Sequence, residues 1–276
     1  MSERPLNLNG RWPQLRTYTP ARVGLGKTGV SLPTARHLEF QLAHSLARDA
    51  VYTRLEADAL AAALAARGHP VLRVHSAAAD RATYLRRPDL GRTLDAASRS
   101  ALEAVRAPSA GIVFAVADGL SATAVNFYAV DTIVATLSEA NARDRATARI
   151  VLVEQGRVAI GDEIGEILGA EIVVVLIGER PGLSAHDSMG AYVTWSPRAG
   201  TADAARNCIS NVRDEGLPHS EAGQQIAALV AAARLHRCTG IALSSALAAS
   251  GLEAARAKAS SIEDERMSEG KLTLES

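Results

Sequence analysis

The chain has 276 residues, more than a minimal domain needs and few enough for one main core with an appendage. Thirty basic residues balance thirty acidic ones, which argues against a surface that tracks phosphate backbones and so against nucleic acid as a partner. Hydrophobic residues make up 47% but aromatics only 4%, a balance that favours helices packed on a parallel sheet over an aromatic-rich sandwich or barrel.

Residues 1–19 carry Pro5 and Pro13 without periodicity and read as an arm. A first helix is predicted from Thr34, a plausible N-cap after Pro33, with Leu38, Leu42 and Leu46 in one apolar stripe. A second, alanine-rich helix over 55–67 stops at Gly68. With no strand between them, they suggest a small helical subdomain over residues 20–68. From His69 the character changes. Short β-branched runs at 71–75, 112–117, 149–153 and 171–177 alternate with helical stretches at 94–105, 122–142 and 163–168. A further strand is read at 191–195 and a helix at 220–237, and the main domain is drawn over 69–250. Residues 251–276 hold six acidic and four basic side chains and read as a charged tail. The expected fold class is α/β: the helical subdomain, then a Rossmann-like, doubly wound, mainly parallel sheet. The longest apolar runs fall far short of the roughly 20 residues of a membrane span, so no membrane association is expected.

In such sheets ligands bind beyond the carboxyl ends of strands, so the turns after 117, 153 and 177 are where chemistry is sought. Asp118-Gly119-Leu120-Ser121 follows a buried strand, with Ser121 placed to cap a helix; a ligand-binding acid and a well-capped turn both fit it. Gly156-Arg157-Val158 places a cation at a strand end, where a charge usually has a partner or ligand. Gly178-Glu179-Arg180-Pro181-Gly182 ends the most apolar strand, and its glycines and proline would present Glu179 to the crevice. Cys208 lies in Arg206-Asn207-Cys208-Ile209-Ser210-Asn211 without a second ligand at metal spacing, and is expected as a small buried thiol lining a pocket. Cys238, at a helix end, reads as structural. Two cysteines are too few for a disulfide framework and suit a reducing compartment. Gly24-Leu25-Gly26-Lys27-Thr28-Gly29 matches the dinucleotide fingerprint by letter, but Pro20 and Pro33 deny it the strand and helix it needs.

The segments Tyr84-Leu85-Arg86-Arg87-Pro88-Asp89-Leu90-Gly91-Arg92, Asp118-Gly119-Leu120-Ser121, Gly156-Arg157-Val158 with Asp162, Ile164 through Leu183, Tyr192 through Ser196-Pro197-Arg198 and Asn207-Cys208-Ile209-Ser210-Asn211 stand in an order that resembles the small subunit of ethanolamine ammonia-lyase. The likeness covers roughly residues 20 to 245. It implies a cobalamin-binding domain that works with a large subunit, the cofactor lying between them. The implied reaction is radical conversion of ethanolamine to acetaldehyde and ammonia with adenosylcobalamin. Carried over by motif, Val158, Glu179 and Cys208 fall where the family contacts cobalamin, with Asp118 and Arg157 as secondary candidates. No residue is assigned to catalysis or to a metal. His186 lacks the surroundings of histidines that replace the lower base, so cobalt is expected to keep its own benzimidazole. The arm is shorter than the extension that takes some members into a bacterial microcompartment, and the cytoplasm is the expected location. Two other readings remain at this point: a self-sufficient dinucleotide enzyme resting on Gly24–Gly29, and a non-catalytic scaffold docking through its N-terminal helices.

Overall fold

The least interrupted apolar runs of the sequence form the centre of a six-stranded sheet, in the order β1-β3-β2-β4-β5-β6. The computed structural model describes residues 18–19, 21–106 and 110–249. The charged tail, and all of the arm but Tyr18 and Thr19, lie outside the described residues. In chain order the elements are α1 (Thr34–Tyr52), α2 (Ala57–Ala65), β1 (Val71–His75), α3 (Arg81–Arg86), α4 (Ala96–Ala104), β2 (Ala110–Ala117) and α5 (Ala122–Glu139). Then follow α6 (Ala142–Thr147), β3 (Arg149–Glu154), α7 (Ile160–Leu168), β4 (Ala170–Gly178), β5 (Met189–Trp195), β6 (Asn207–Val212) and α8 (His219–His236), with α9 (Ile241–Ala249) last.

The α/β class holds. The expected mainly parallel, doubly wound sheet is met only over β1, β3, β2 and β4, which pair in parallel. β5 and β6 are antiparallel to their neighbours, so the sheet as a whole is mixed. The reason lies in the connections. A parallel return needs a crossover of a dozen or more residues, usually a helix, and residues 179–188 between β4 and β5 contain none. The chain therefore turns straight back beside β4. β6 was not expected as a strand at all, because its outward residues are polar: it is an edge strand with only Ile209 and Val212 buried.

The two-residue period of β2 sorts its side chains into two cores. Ile112, Phe114 and Val116 join one; Val113, Ala115 and Ala117 join the other. The first is covered by α2, α5, α8 and α9 through Leu60, Val125, Ile133, Ile226 and Leu243. The second is covered by α4 and α7 through Leu102, Ile160, Ile164 and Leu168. Each such side chain contributes roughly 1.5–3 kcal/mol on burial. β2 thus leads to a helix on one face and β3 to a helix on the other, so their carboxyl ends part where α/β sheets open a crevice.

α1 stands apart from both cores. Only Ala50 of its residues is buried. The predicted stripe is real as a helical stripe, but Leu38, Leu42 and Leu46 are 58%, 63% and 40% exposed. Ahead of it, Gly24, Gly26 and Gly29 have positive φ in a loop with no strand before it among the described residues, and the helix begins five residues after Gly29, at Thr34. The letter match there meets no phosphate-facing helix. No single helix among the described residues is long and apolar enough to cross a membrane.

Candidate functional site

The crevice between β2 and β3 is filled by the protein itself. Asp118, at the end of β2, is 3% exposed and accepts hydrogen bonds from the backbone N–H of Gln155 and of Gly156, each at 3.0 Å. Arg81 stands 3.8 Å away and donates to the carbonyls of Gly119 and Val51. The structure therefore places Asp118 beneath the site, holding the β3 turn, and does not bring it to an open cavity. Next to it, Gly119 has φ +58° and lies so close to β4 that a Cβ would come within 2.3 Å of the Gly178 carbonyl. Ser121 occupies the N-cap position of α5 as expected, but its side chain makes no cap; its hydroxyl donates to the His186 carbonyl at 3.1 Å.

Burial pushes the Asp118 carboxyl up to about 6, against the backbone N–H groups of Gln155, Gly156 and Gly119 and the Arg81 charge, which pull it down. The folded protein thus holds this proton more tightly than the unfolded chain does. Its stabilising contribution is full below the ordinary value of 3.8 and is lost as pH rises through about 6. Relative to Asp118→Asn, which cannot titrate, the wild type is expected to gain on the order of 2–3 kcal/mol as pH falls from about 7 to 4. Urea melts of both proteins at the two pH values measure it; a difference that does not change with pH contradicts this coupling.

The open cavity lies on the α7 side of the sheet, at the start of that helix, and has a volume of about 350 Å³. Val158, Tyr192 and Cys208 form one wall. Tyr192 on β5 and Cys208 on β6 are direct register partners. The expectation of a buried thiol needs correction: Cys208 is exposed, because it sits on the outward face of an edge strand. Lost hydration still pushes its thiol up from the ordinary value, with the Glu179 carboxylate adding and a hydrogen bond with Tyr192 opposing. It is held as a neutral thiol, not a thiolate. Cys238 packs partly buried against the first core.

Glu179 reaches the same place from β4. Its Oε1 accepts from the Ser210 hydroxyl at 2.6 Å and its Oε2 from the Ser188 hydroxyl at 2.5 Å. Ser210 is two residues from Cys208 on β6 and shares its outward face. Gly190 makes room, since a Cβ there would stand 2.9 Å from Glu179 Oε1. Val158, Glu179 and Cys208, far apart in sequence, are thus brought together.

Arg157 lines the cavity as well. Its guanidinium lies 4.5 Å over the ring of Tyr84 and donates to the Tyr84 carbonyl at 3.1 Å, while Arg81 stacks on the same ring at 4.7 Å. Tyr84 is 1% exposed and donates its hydroxyl to the Gly156 carbonyl. Arg157 Nε is buried without a partner. Behind the cavity, Arg206 forms a buried ion pair with Asp162.

A profile of the family described as "Ethanolamine ammonia-lyase light chain (EutC)" matches residues 9–244. The chain belongs to this family. It is 51% identical over 248 residues to the ethanolamine ammonia-lyase small subunit of Ralstonia nicotianae, a match covering 89% of this chain and 92% of that protein. The small subunit of Xanthomonas campestris pv. campestris is 50% identical over 235 residues, covering 84% and 86%. That of Pseudomonas syringae pv. tomato is 47% identical over 253 residues, covering 88% of each. These relatives are subunits of a lyase, and their name implies a larger partner chain.

Within this chain, sequence reasoning missed Ser188, Ser210, Tyr192, Tyr84 and Arg92 as parts of the site. The first three meet Glu179 and Cys208 only because β5 and β6 fold back antiparallel. Tyr84 and Arg92 lie within the segment that carried the family likeness, the one available signal for them.

Proposed function

We propose that this chain is the small subunit of an adenosylcobalamin-dependent ethanolamine ammonia-lyase, forming part of the cofactor site at its boundary with a large subunit. The supporting observation is that Val158 and Cys208 line one cavity and that Glu179 is held beside them through Ser210, on the outward face that Cys208 shares. Their chemistry fits an amide-fringed corrin. Val158 offers an apolar wall and Cys208 a small polarizable one. The Glu179 carboxylate accepts two hydroxyl hydrogens and has lone pairs left for corrin amide N–H groups. Ser188 and Ser210 fix its orientation before a ligand arrives. The buried Nε of Arg157 is a donor that still lacks an acceptor.

The cofactor, when bound, supplies the cobalt–carbon bond whose homolysis starts radical chemistry on ethanolamine. The protein's part on this side is to hold and orient it and to exclude water. A cavity of about 350 Å³ covers only part of a corrin, so a second surface must cover the rest. The exposed stripe of α1 is where the large subunit docks in this reading. The reaction is the conversion of ethanolamine to acetaldehyde and ammonia, in the cytoplasm.

Glu179→Ala is expected to weaken adenosylcobalamin binding by the reconstituted complex roughly ten- to hundredfold, the worth of a charge-assisted hydrogen bond. Its thermal midpoint should stay near that of the wild type, because Glu179 lies outside both cores. Titration followed by corrin absorbance decides it, and unchanged affinity removes Glu179 from the contact.

A further inference from the structure

α1 has little hold on the rest of the molecule, and Ala50, its one buried residue, lies in its last turn. There the helix closes on Thr53, whose N–H bonds to the carbonyls of Asp49 and Ala50. The next carbonyl, that of Val51, accepts from Arg81 Nε at 2.7 Å. A helix end leaves carbonyls without intrahelical donors and carries the negative pole of the dipole, so a cation there is favourable. α1 has no basic residue in its own last turn, and Arg81 of α3 supplies the charge. Just beyond, Asn126 of α5 accepts from the Glu56 N–H and donates to the Arg54 carbonyl, each at 3.0 Å. The segment after α1 is thus pinned, so fraying of the helix is felt at Val51.

The same guanidinium reaches the turns beneath the cavity. Its Nη1 donates to the Gly119 carbonyl at 2.7 Å and to Gln155 Oε1 at 3.5 Å, and stands 3.8 Å from the Asp118 carboxylate. It also stacks on the Tyr84 ring, on which Arg157 stacks as well. Gln155 has φ +56°, a conformation that a residue with a side chain keeps only where its surroundings hold it. Two and three residues on, Arg157 and Val158 line the cavity. The Arg81 side chain is 16% exposed, and its Nη2 is buried with no acceptor among the described residues. The fork is therefore divided between α1 and the strand-end turns, a span that its fixed planar donors allow and a lysine's point charge does not.

We infer that Arg81 is a positioning residue that couples a partner seated on α1 to the cavity wall at Arg157 and Val158. The inference rests on the reading above, in which α1 receives the large subunit. In the chain alone α1 is exposed over most of its length, so it opens locally at small cost. Each opening takes the Val51 carbonyl away from Arg81. A half-buried cation that loses an acceptor turns to others, and its hold on Gly119 and Gln155 slackens. A partner on α1 suppresses that opening and keeps the Gln155-Gly156-Arg157 turn in place. The coupling runs both ways: a ligand that orders the turn also tightens α1. Arg81 itself touches neither partner nor ligand.

Amide hydrogen exchange at Gln155, Gly156 and Arg157 reads the coupling. These N–H groups are bonded to Asp118 and to the Gly91 carbonyl, and they exchange when the turn opens. Exchange is followed in the full chain with and without the large subunit, no cofactor being added, for the wild type, Arg81→Gln and Arg81→Lys. The lysine variant keeps a cation near Asp118 but cannot bridge, so it serves even where the glutamine variant does not fold. In the wild type the large subunit is expected to slow exchange about tenfold, both along 34–52 and at 155–157. In the variants α1 should still be protected, while the response at 155–157 falls to less than about twofold. A merely structural role for Arg81 would speed exchange at the turn with and without the partner alike, leaving the response to the partner unchanged. That result, or no response of the turn in the wild type, overturns the coupling and leaves the docking of α1 intact. A wild-type α1 that the large subunit does not protect removes the docking reading, and the coupling with it.

Discussion

Arg206→Met is expected to destabilise the chain by about 3–5 kcal/mol, enough to lower its thermal midpoint by roughly 10 °C or more. Arg206 and Asp162 have side-chain exposures of 3% and 0%. The guanidinium donates to Asp162 and to the Thr201 carbonyl at 2.6 Å, with Asp203 at 3.4 Å from Nε. Without it Asp162 becomes a buried carboxylate with no cation, and its Oδ2 already lacks a partner. Burial raises the Asp162 carboxyl even with Arg206 present, so the variant should take up a proton there rather than bear the charge. The double variant Asp162→Leu/Arg206→Met should recover a large part of the loss, because the penalty lies in the orphaned charge. The pair also ties α7, which begins beside Val158, to β6, which carries Cys208. Cofactor affinity should therefore fall in the single variant even under conditions where it stays folded. A midpoint within a degree or two of the wild type contradicts this account.

The parts of the fold that could be read in the sequence are those whose chemistry is local. β2, β3 and β4 read as apolar runs because both faces of each strand are covered. Helices α5 and α8 begin within a residue of where periodicity puts them. The antiparallel half was not legible, since β6 exposes Cys208 and Ser210 and its polar residues look like a loop. Its strand character comes from pairing with β5, a partner that periodicity does not name. α3, α6 and α9 are short and carry little periodic signal. At the site the pattern is the same. Glu179 was legible from the glycines around it, because a strand end with that backbone is unusual. Its hydroxyl partners were not, because they come from 9 and 31 residues away. Asp118 was placed at a ligand crevice by its strand-end position, yet that crevice is closed by its own bonds to the β3 turn. Position at a strand end identifies which groups can act; only packing decides which of them face outward.

Purified without its partner, the chain is expected to leave ethanolamine unchanged and to bind adenosylcobalamin at least a hundredfold more weakly than the complex does, a difference of roughly 3 kcal/mol. The cavity offers Val158, Tyr192 and Cys208, with Glu179 beside them, to one side of a ligand. It offers no second surface to bury the other side and shield a radical from solvent. α1 presents Leu38, Leu42 and Leu46 to water, an apolar stripe of the kind that marks an interaction surface. That helix also adjoins the site. A cleft between residues 21–25, the start of α1 and the loop that follows Glu179 is lined by Arg22, Arg36 and Leu183. A partner seated on α1 would therefore also reach the loop that follows Glu179. Assembly should stabilise both chains by mass action, raising the thermal midpoint as the large subunit is added. Amide hydrogen exchange should slow along 34–52 and around 179–188 on assembly, and stay unchanged in α5, which is already buried. Acetaldehyde assays with the lone chain, the lone large subunit and the two together complete the test. Turnover by the lone chain, or exchange along α1 that is indifferent to the partner, would overturn the two-chain site.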